Sequence, residues 1–262
     1  MNFSLRIVIA LFLVTICLCG NYTTAIAQEY SENEFEEEFL EDFEDFGNNS
    51  EKTDHNDPLE PLNRTIFVFN ETFDQYFFEH VARTYRLVIP KKARSSIRNF
   101  LTNLSKPVSF ANSVAQGKLD NSLATLSSFL INSTVGVFGL FDVADSNGIK
   151  YEQEDFGQTL GYYGINSGIY LVLPFKGPSS LRDSSGLLAD SLISPIGFNS
   201  LQFGQKEDFI DDDTRIGIGV MSAVDTRESL IHIIDDIRKD SFDPYVTIRS
   251  AYTQNRVDKI KK

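Results

Sequence analysis

The order of apolar and polar positions predicts a mostly α chain with an irregular, glycine-rich middle. From position 61 to 78, Leu62, Ile66, Phe69, Phe73 and Phe77 recur at steps of three and four, and Pro61 suits a first helical turn. After Pro90 the same period runs through Ala93, Ile97, Phe100, Leu101 and Leu104. Pro107 is expected to open a further helix that reaches Ala115 and closes at Gly117. Asp120 is expected to cap another, with Leu123, Leu126, Leu130 and Ile131 on its apolar face. Residues 216–237 and 244–257 also read as helical, whereas period-two alternation is confined to short pieces such as 169–173.

Two apolar runs lie in the middle. Residues 129–141 (FLINSTVGVFGLF) are broken by Gly136 and Gly139, and residues 165–175 (INSGIYLVLPF) end at Pro174. Both are too short to cross a bilayer as a helix, which leaves buried core or a re-entrant, interfacial segment. Between them Gly157, Gly161, Gly164 and Gly168 repeat a small-xxx-small spacing. That spacing serves either close helix packing or a series of turns.

The first 27 residues read as a secretory signal: Arg6 precedes an apolar stretch at 7–18, and Ala25-Ile26-Ala27 has the small-x-small form of a cleavage site. Both cysteines, Cys17 and Cys19, fall inside it, so cleavage after Ala27 leaves a thiol-free mature chain. Lipid attachment at either one requires a small residue just before the Cys, where Ile16 and Leu18 stand. Residues 28–57 then form an acidic tail with thirteen acids against Lys52 alone. Its Phe35, Phe39, Phe43 and Phe46 recur at helical spacing, consistent with a solvated spacer or a short docking helix. From Pro58 onward 22 Lys and Arg stand against 24 Asp and Glu. A nearly neutral folded region, expected over 58–262, argues against nucleic acid as a partner.

Candidate chemistry is sparse. His55, His80 and His232 are isolated, without metal-ligand spacing. The chain lacks a phosphate loop, a dinucleotide fingerprint and a Gly-x-Ser-x-Gly elbow. No cofactor, no metal and no enzymatic activity are expected.

The blocks DPLEPLNRTIFVFN (57–70), PKKARSSIRNFLTNLSKPVSFANSVAQG (90–117), FLINSTVGVFGLFDVA (129–144), DFGQTLGYYGINSGIYLVLPFKGPSSLRD (155–183) and DPYVTIRSAY (243–252) carry a resemblance to a known family. Over roughly residues 57–256 the chain resembles the VacJ/MlaA family of Gram-negative outer-membrane proteins. The resemblance implies a ring-like, mostly helical domain half-inserted in the periplasmic leaflet of the outer membrane, with an amphipathic central channel. It implies phospholipid transport that preserves outer-membrane lipid asymmetry, with a trimeric outer-membrane porin and a periplasmic lipid-carrier protein as partners. Family members are typically lipoproteins, a point on which this signal segment departs. A soluble exported lipid-binding or surface-interaction protein of the same fold is the alternative.

A phospholipid path needs polar contacts for the headgroup and an apolar exterior for the chains. Lys91, Arg94 and Arg98 near a helix start, and Arg182, are the candidate phosphate partners. Asn63, Arg64, Phe69 and Asn70 either shape a channel gate or pin the first helix. Phe129, Leu130, Val137, Phe138, Leu140, Phe141, Leu171, Leu173 and Phe175 are the candidate membrane contacts.

Overall fold

The computed structural model describes residues 57–194 and 211–262. The expected leader, the acidic tail up to its last residue and its Phe stripe lie outside the described residues. The described part is helical apart from one hairpin: α1 (Glu60–Phe73), a π-helical turn (Asp74–Phe78), α2 (Glu79–Val88), α3 (Lys91–Ala115), α4 (Leu119–Thr134), the short α5 (Val143–Ser146), α6 (Phe156–Tyr162), β1 (Tyr170–Leu173), β2 (Gly177–Ser180), α7 (Leu181–Ile193), α8 (Asp212–Ser229), α9 (Ile231–Asp240) and α10 (Pro244–Lys261).

Four expected elements change, one of them α4, which begins at Leu119 with Lys118 at its N-cap, so that Asp120 lies inside its first turn instead of capping it. The helix over 61–78 ends at Phe73 and continues through the π turn into α2. A π turn adds a residue per turn, so Phe73 meets both Phe77 and Phe78, at ring-centroid distances of 5.4 and 6.2 Å. The helices expected on either side of Pro107 are one helix, α3, with the proline inside it. Pro107 removes the hydrogen bond to the Asn103 carbonyl, while Asn103 and Lys106 donate to α4 and Ser109 accepts from the Glu154 N–H, holding the helix on both sides. The helix over 216–237 divides at Leu230 into α8 and α9.

Neighbouring elements pack in a closed circuit. α1 packs on β1, the hairpin on α7 and α10, α7 on α6, α6 on α3, α3 on α8, α8 on α2, and α2 returns through the π turn to α1. β1 and β2 pair antiparallel with Tyr170 opposite Ser180 and Leu173 opposite Gly177. An apolar nucleus of Tyr170, Val172 and Tyr245, flanked by Ile66, Phe67 and Tyr252, joins α1, β1 and α10.

The burial pattern is inverted relative to a water-soluble bundle. Among the described residues 23 polar or charged side chains are buried against ten hydrophobic ones, and thirty large hydrophobics are exposed. In α4 the buried face is Ser122, Thr125, Ser128 and Asn132, while Leu123 and Leu130 face outward. The apolar face expected for this helix therefore exists but lies on the outside. The buried face of α3 is likewise Arg94, Asn103, Lys106, Ser109, Asn112 and Ser113. No helix among the described residues is long and apolar enough to cross a membrane.

Candidate functional site

Polar side chains bond one another across the helix interfaces, as they must when removed from water. Asn103 donates to Ser133 at 2.9 Å and Lys106 to Ser128 at 2.6 Å, joining α3 to α4. Thr159 of α6 donates to Asn112 at 2.9 Å, and Gln116 donates to Glu154 at 2.9 Å and to Thr159 at 3.1 Å. Lys106 is buried with its ammonium 4.9 Å from the Tyr151 ring centroid. Desolvation pushes its pKa down, only partly opposed by Asp142 and Asp145.

α6, α7 and α10 meet at a charge cluster that the FGQTLG and LRD motifs build. Arg256 bonds both oxygens of Asp155, at 2.6 and 3.0 Å, and both oxygens of Asp183, at 2.9 and 2.8 Å. Tyr252 also donates to Asp183. Burial opposes ionisation of Asp183, but bonds from Arg256, Arg182 and Tyr252 outweigh it and hold its pKa at about 2. The glycines let the helices close on this cluster. A Cβ on Gly157 would stand 2.6 Å from Asp183 Oδ1, and one on Gly186 would stand 2.4 Å from the Gly157 nitrogen. Gly164, in the turn after α6, and Gly168, in the loop that follows, instead take positive φ values of 84° and 71°. Both readings of the glycine spacing thus hold, at different positions.

Three of the four expected phosphate partners pair with the chain's own carboxylates. Glu228, 1% exposed, receives Arg86 and Arg94 at 2.6 Å each and Arg98 at 3.2 Å. Arg98 also reaches Asp225 at 3.1 Å, and Arg182 bonds Asp183 at 2.9 Å and the Ile165 carbonyl at 3.2 Å. Sequence periodicity placed these arginines on helices without revealing carboxylates far along the chain. Arg94, Arg98 and Arg182 are thus each engaged in an ion pair within the fold. Lys91 is half-buried at the start of α3.

Asn63, Arg64 and Asn70 pin α1. Asn63 donates to the Tyr170 carbonyl at 2.9 Å and accepts from the Val172 N–H at 2.9 Å; Asn70, two helical turns on, repeats this with Leu173 at 2.9 Å and Phe175 at 2.8 Å. Two asparagines thereby serve β1 in place of a neighbouring strand. Arg64 bonds Asp243 at 2.8 Å, and Asp57 accepts from Asn63, Tyr245 and Arg249. The first and last of the family-like blocks are therefore packing partners. Phe69 instead stands edge-on to Phe175 at 5.4 Å and remains exposed.

Of the candidate membrane contacts, Leu130, Val137, Phe138, Phe141 and Phe175 are exposed, Phe138 at 76%, while Phe129, Leu140, Leu171 and Leu173 are half-buried. Val137, Phe138 and Phe175 adopt positive φ values of 52°, 58° and 64°. A left-handed backbone at a bulky residue costs about 1 kcal/mol or more, and surrounding structure must hold it there. Phe138 donates to the Ser133 carbonyl at 3.1 Å and Gly139 to the Asn132 carbonyl at 2.8 Å, bonds that keep the two side chains extruded. Further outward-facing apolar residues that the reading missed are Tyr76, Leu87 and Val88.

The model of the MlaA lipoprotein family matches residues 55–259. The chain belongs to the MlaA family. The intermembrane phospholipid transport system lipoprotein MlaA of Escherichia coli (strain K12) is 32% identical over 202 residues, 76% of each chain. Its counterpart in Shigella flexneri is 33% identical over the same share. An uncharacterized protein of Rickettsia bellii is 30% identical over 246 residues, 94% of this chain and 91% of its own length. A solved structure described as the structural basis for maintenance of bacterial outer membrane lipid asymmetry superposes with TM-score 0.67 at 33% identity, covering 79% of this chain and all of that one. An MlaA-family fold accounts for the inverted burial: what a soluble bundle hides in its core is here distributed over the outside.

Proposed function

We propose that this MlaA-family chain is the outer-membrane component of a phospholipid transport system, removing mislocalised phospholipids from the outer leaflet and passing them to a periplasmic lipid-carrier protein. The observation that carries the reading is the polar interior beneath an apolar exterior. Buried side chains that hydrogen-bond one another let the helices pack without a hydrophobic core, and the exposed Leu, Val and Phe residues meet hydrocarbon at no desolvation cost. No helix among the described residues is long and apolar enough to span; in this reading the protein sits in the periplasmic leaflet after export by its signal peptide. A trimeric porin is its lateral partner in the membrane. The closed circuit of helices surrounds the lipid path. The protein acts by conduction, and the ionic groups described above hold its helices together.

Deletion of the gene is expected to raise outer-leaflet phospholipid, measured by a surface-restricted lipid modification assay, and to sensitise cells to detergent. Complementation restores both. Unchanged outer-leaflet phospholipid in the deletion strain would sink the proposal.

A further inference from the structure

Arg94, Arg98 and Arg182 spend their charge on Asp225, Glu228 and Asp183. Lys176 does not follow them. It stands in the three-residue turn 174–176 that joins β1 to β2, and its ammonium forms no hydrogen bond or ion pair among the described residues. The side chain is open to solvent. Even so, burial by the protein around it pushes its pKa down, with Asp155 and Asp190 opposing that effect and Arg256 adding to it. Lys176 is thus an exposed cation at the hairpin tip with acidic groups in its neighbourhood. The facing groups are already engaged. Asp155 holds Arg256 and the Gln158 N–H, while Asp190 accepts from Asn112 at 2.9 Å and from the Phe156 N–H at 3.0 Å.

The preceding residue looks the other way. Phe175 is exposed, held at positive φ by the bond from its N–H to Asn70, and stands edge-on to Phe69 at 5.4 Å and Phe73 at 5.1 Å. Those rings continue through Phe73 to the exposed Phe77 at 5.4 Å. The hairpin tip therefore sits on a boundary, with an outward aromatic surface on one side and the polar groups of α6, α7 and α10 on the other.

The geometry points to the β1–β2 tip as an amphipathic lip for phospholipid, in which Lys176 takes the phosphate and the acyl chains lie across Phe69, Phe73, Phe77 and Phe175. The inference rests on the transport reading and gives it a recognition residue. An ammonium on a flexible stem is a point-charge partner for phosphate, and one such contact suits a ligand that has to move on.

The test is equilibrium binding to the full mature chain in neutral detergent, with fluorescent phosphatidylglycerol compared against diacylglycerol bearing the same chains. Lys176→Gln is expected to weaken phosphatidylglycerol binding about tenfold, the loss of one charge-assisted contact, and to leave diacylglycerol binding unchanged. Lys176→Arg restores the affinity, and Phe175→Ala weakens both lipids. Equal phosphatidylglycerol binding by wild type and Lys176→Gln overturns the inference and leaves transport standing. Full displacement of the lipid by inorganic phosphate also overturns it, assigning the lysine to a free anion. Wild-type protein that binds neither lipid overturns the transport reading and the inference together.

Discussion

Replacing Gly186 by alanine tests the claim that the α6–α7 crossing is set by backbone contact. The added Cβ would stand 2.4 Å from the Gly157 nitrogen and 2.8 Å from its Cα, both backbone atoms that no rotamer change can move. Reaching ordinary carbon separations of about 3.5 Å opens the crossing by roughly 1 Å. Arg256 spans the same crossing with bonds of 2.6–3.0 Å to Asp155 and Asp183, so that opening breaks part of a charge-assisted set. Overpacking costs about 1–3 kcal/mol and the lost bonds about 1–2 kcal/mol more, while helix propensity returns up to about 1 kcal/mol. The expected net loss is about 1–4 kcal/mol. Gly217→Ala in α8 is the matched control, since its Cβ meets nothing within 4 Å, and it should stabilise by up to about 1 kcal/mol. Reversible denaturant unfolding in detergent measures both. A Gly186→Ala protein as stable as Gly217→Ala would refute the reasoning.

Other substitutions probe the remaining features. Asp183 has a folded pKa of about 2, below the usual carboxylate value, so its contribution is complete above about pH 4 and is lost as pH falls through the folded value; Asp183→Asn should flatten the acid limb of stability against pH, and an unchanged limb would contradict the pairing. Asn63→Ala strips partners from the buried Tyr170 carbonyl and Val172 N–H and should cost about 1–3 kcal/mol, read from thermal melting. Thr125→Leu, on the buried face of α4, should destabilise by about 1–3 kcal/mol. Leu123→Ser, on its exposed face, should stay within about 0.5 kcal/mol in detergent; the reverse order of the two melts would mean the inside of α4 is misassigned.

The sequence alone established the helical class, the punctuation by Pro and Gly and the family-like blocks, because these are written in local spacing. Periodicity separates two faces of a helix by an angle but carries no sign for which face is buried. Ser122, Thr125, Ser128 and Asn132 recur on α4 as regularly as its leucines do, and only the assembled neighbours turn them inward. The roles of Arg94 and Arg98 were invisible for a related reason: their carboxylates lie 127 to 134 positions away in sequence. Likewise Pro107 reads as a helix boundary when judged by its own missing N–H, yet α3 runs through it because bonds to α4 and to Glu154 outweigh one lost backbone bond. The side on which a face lies, and whether an arginine is spent or free, are properties of the packed neighbours, so the tertiary structure decides both.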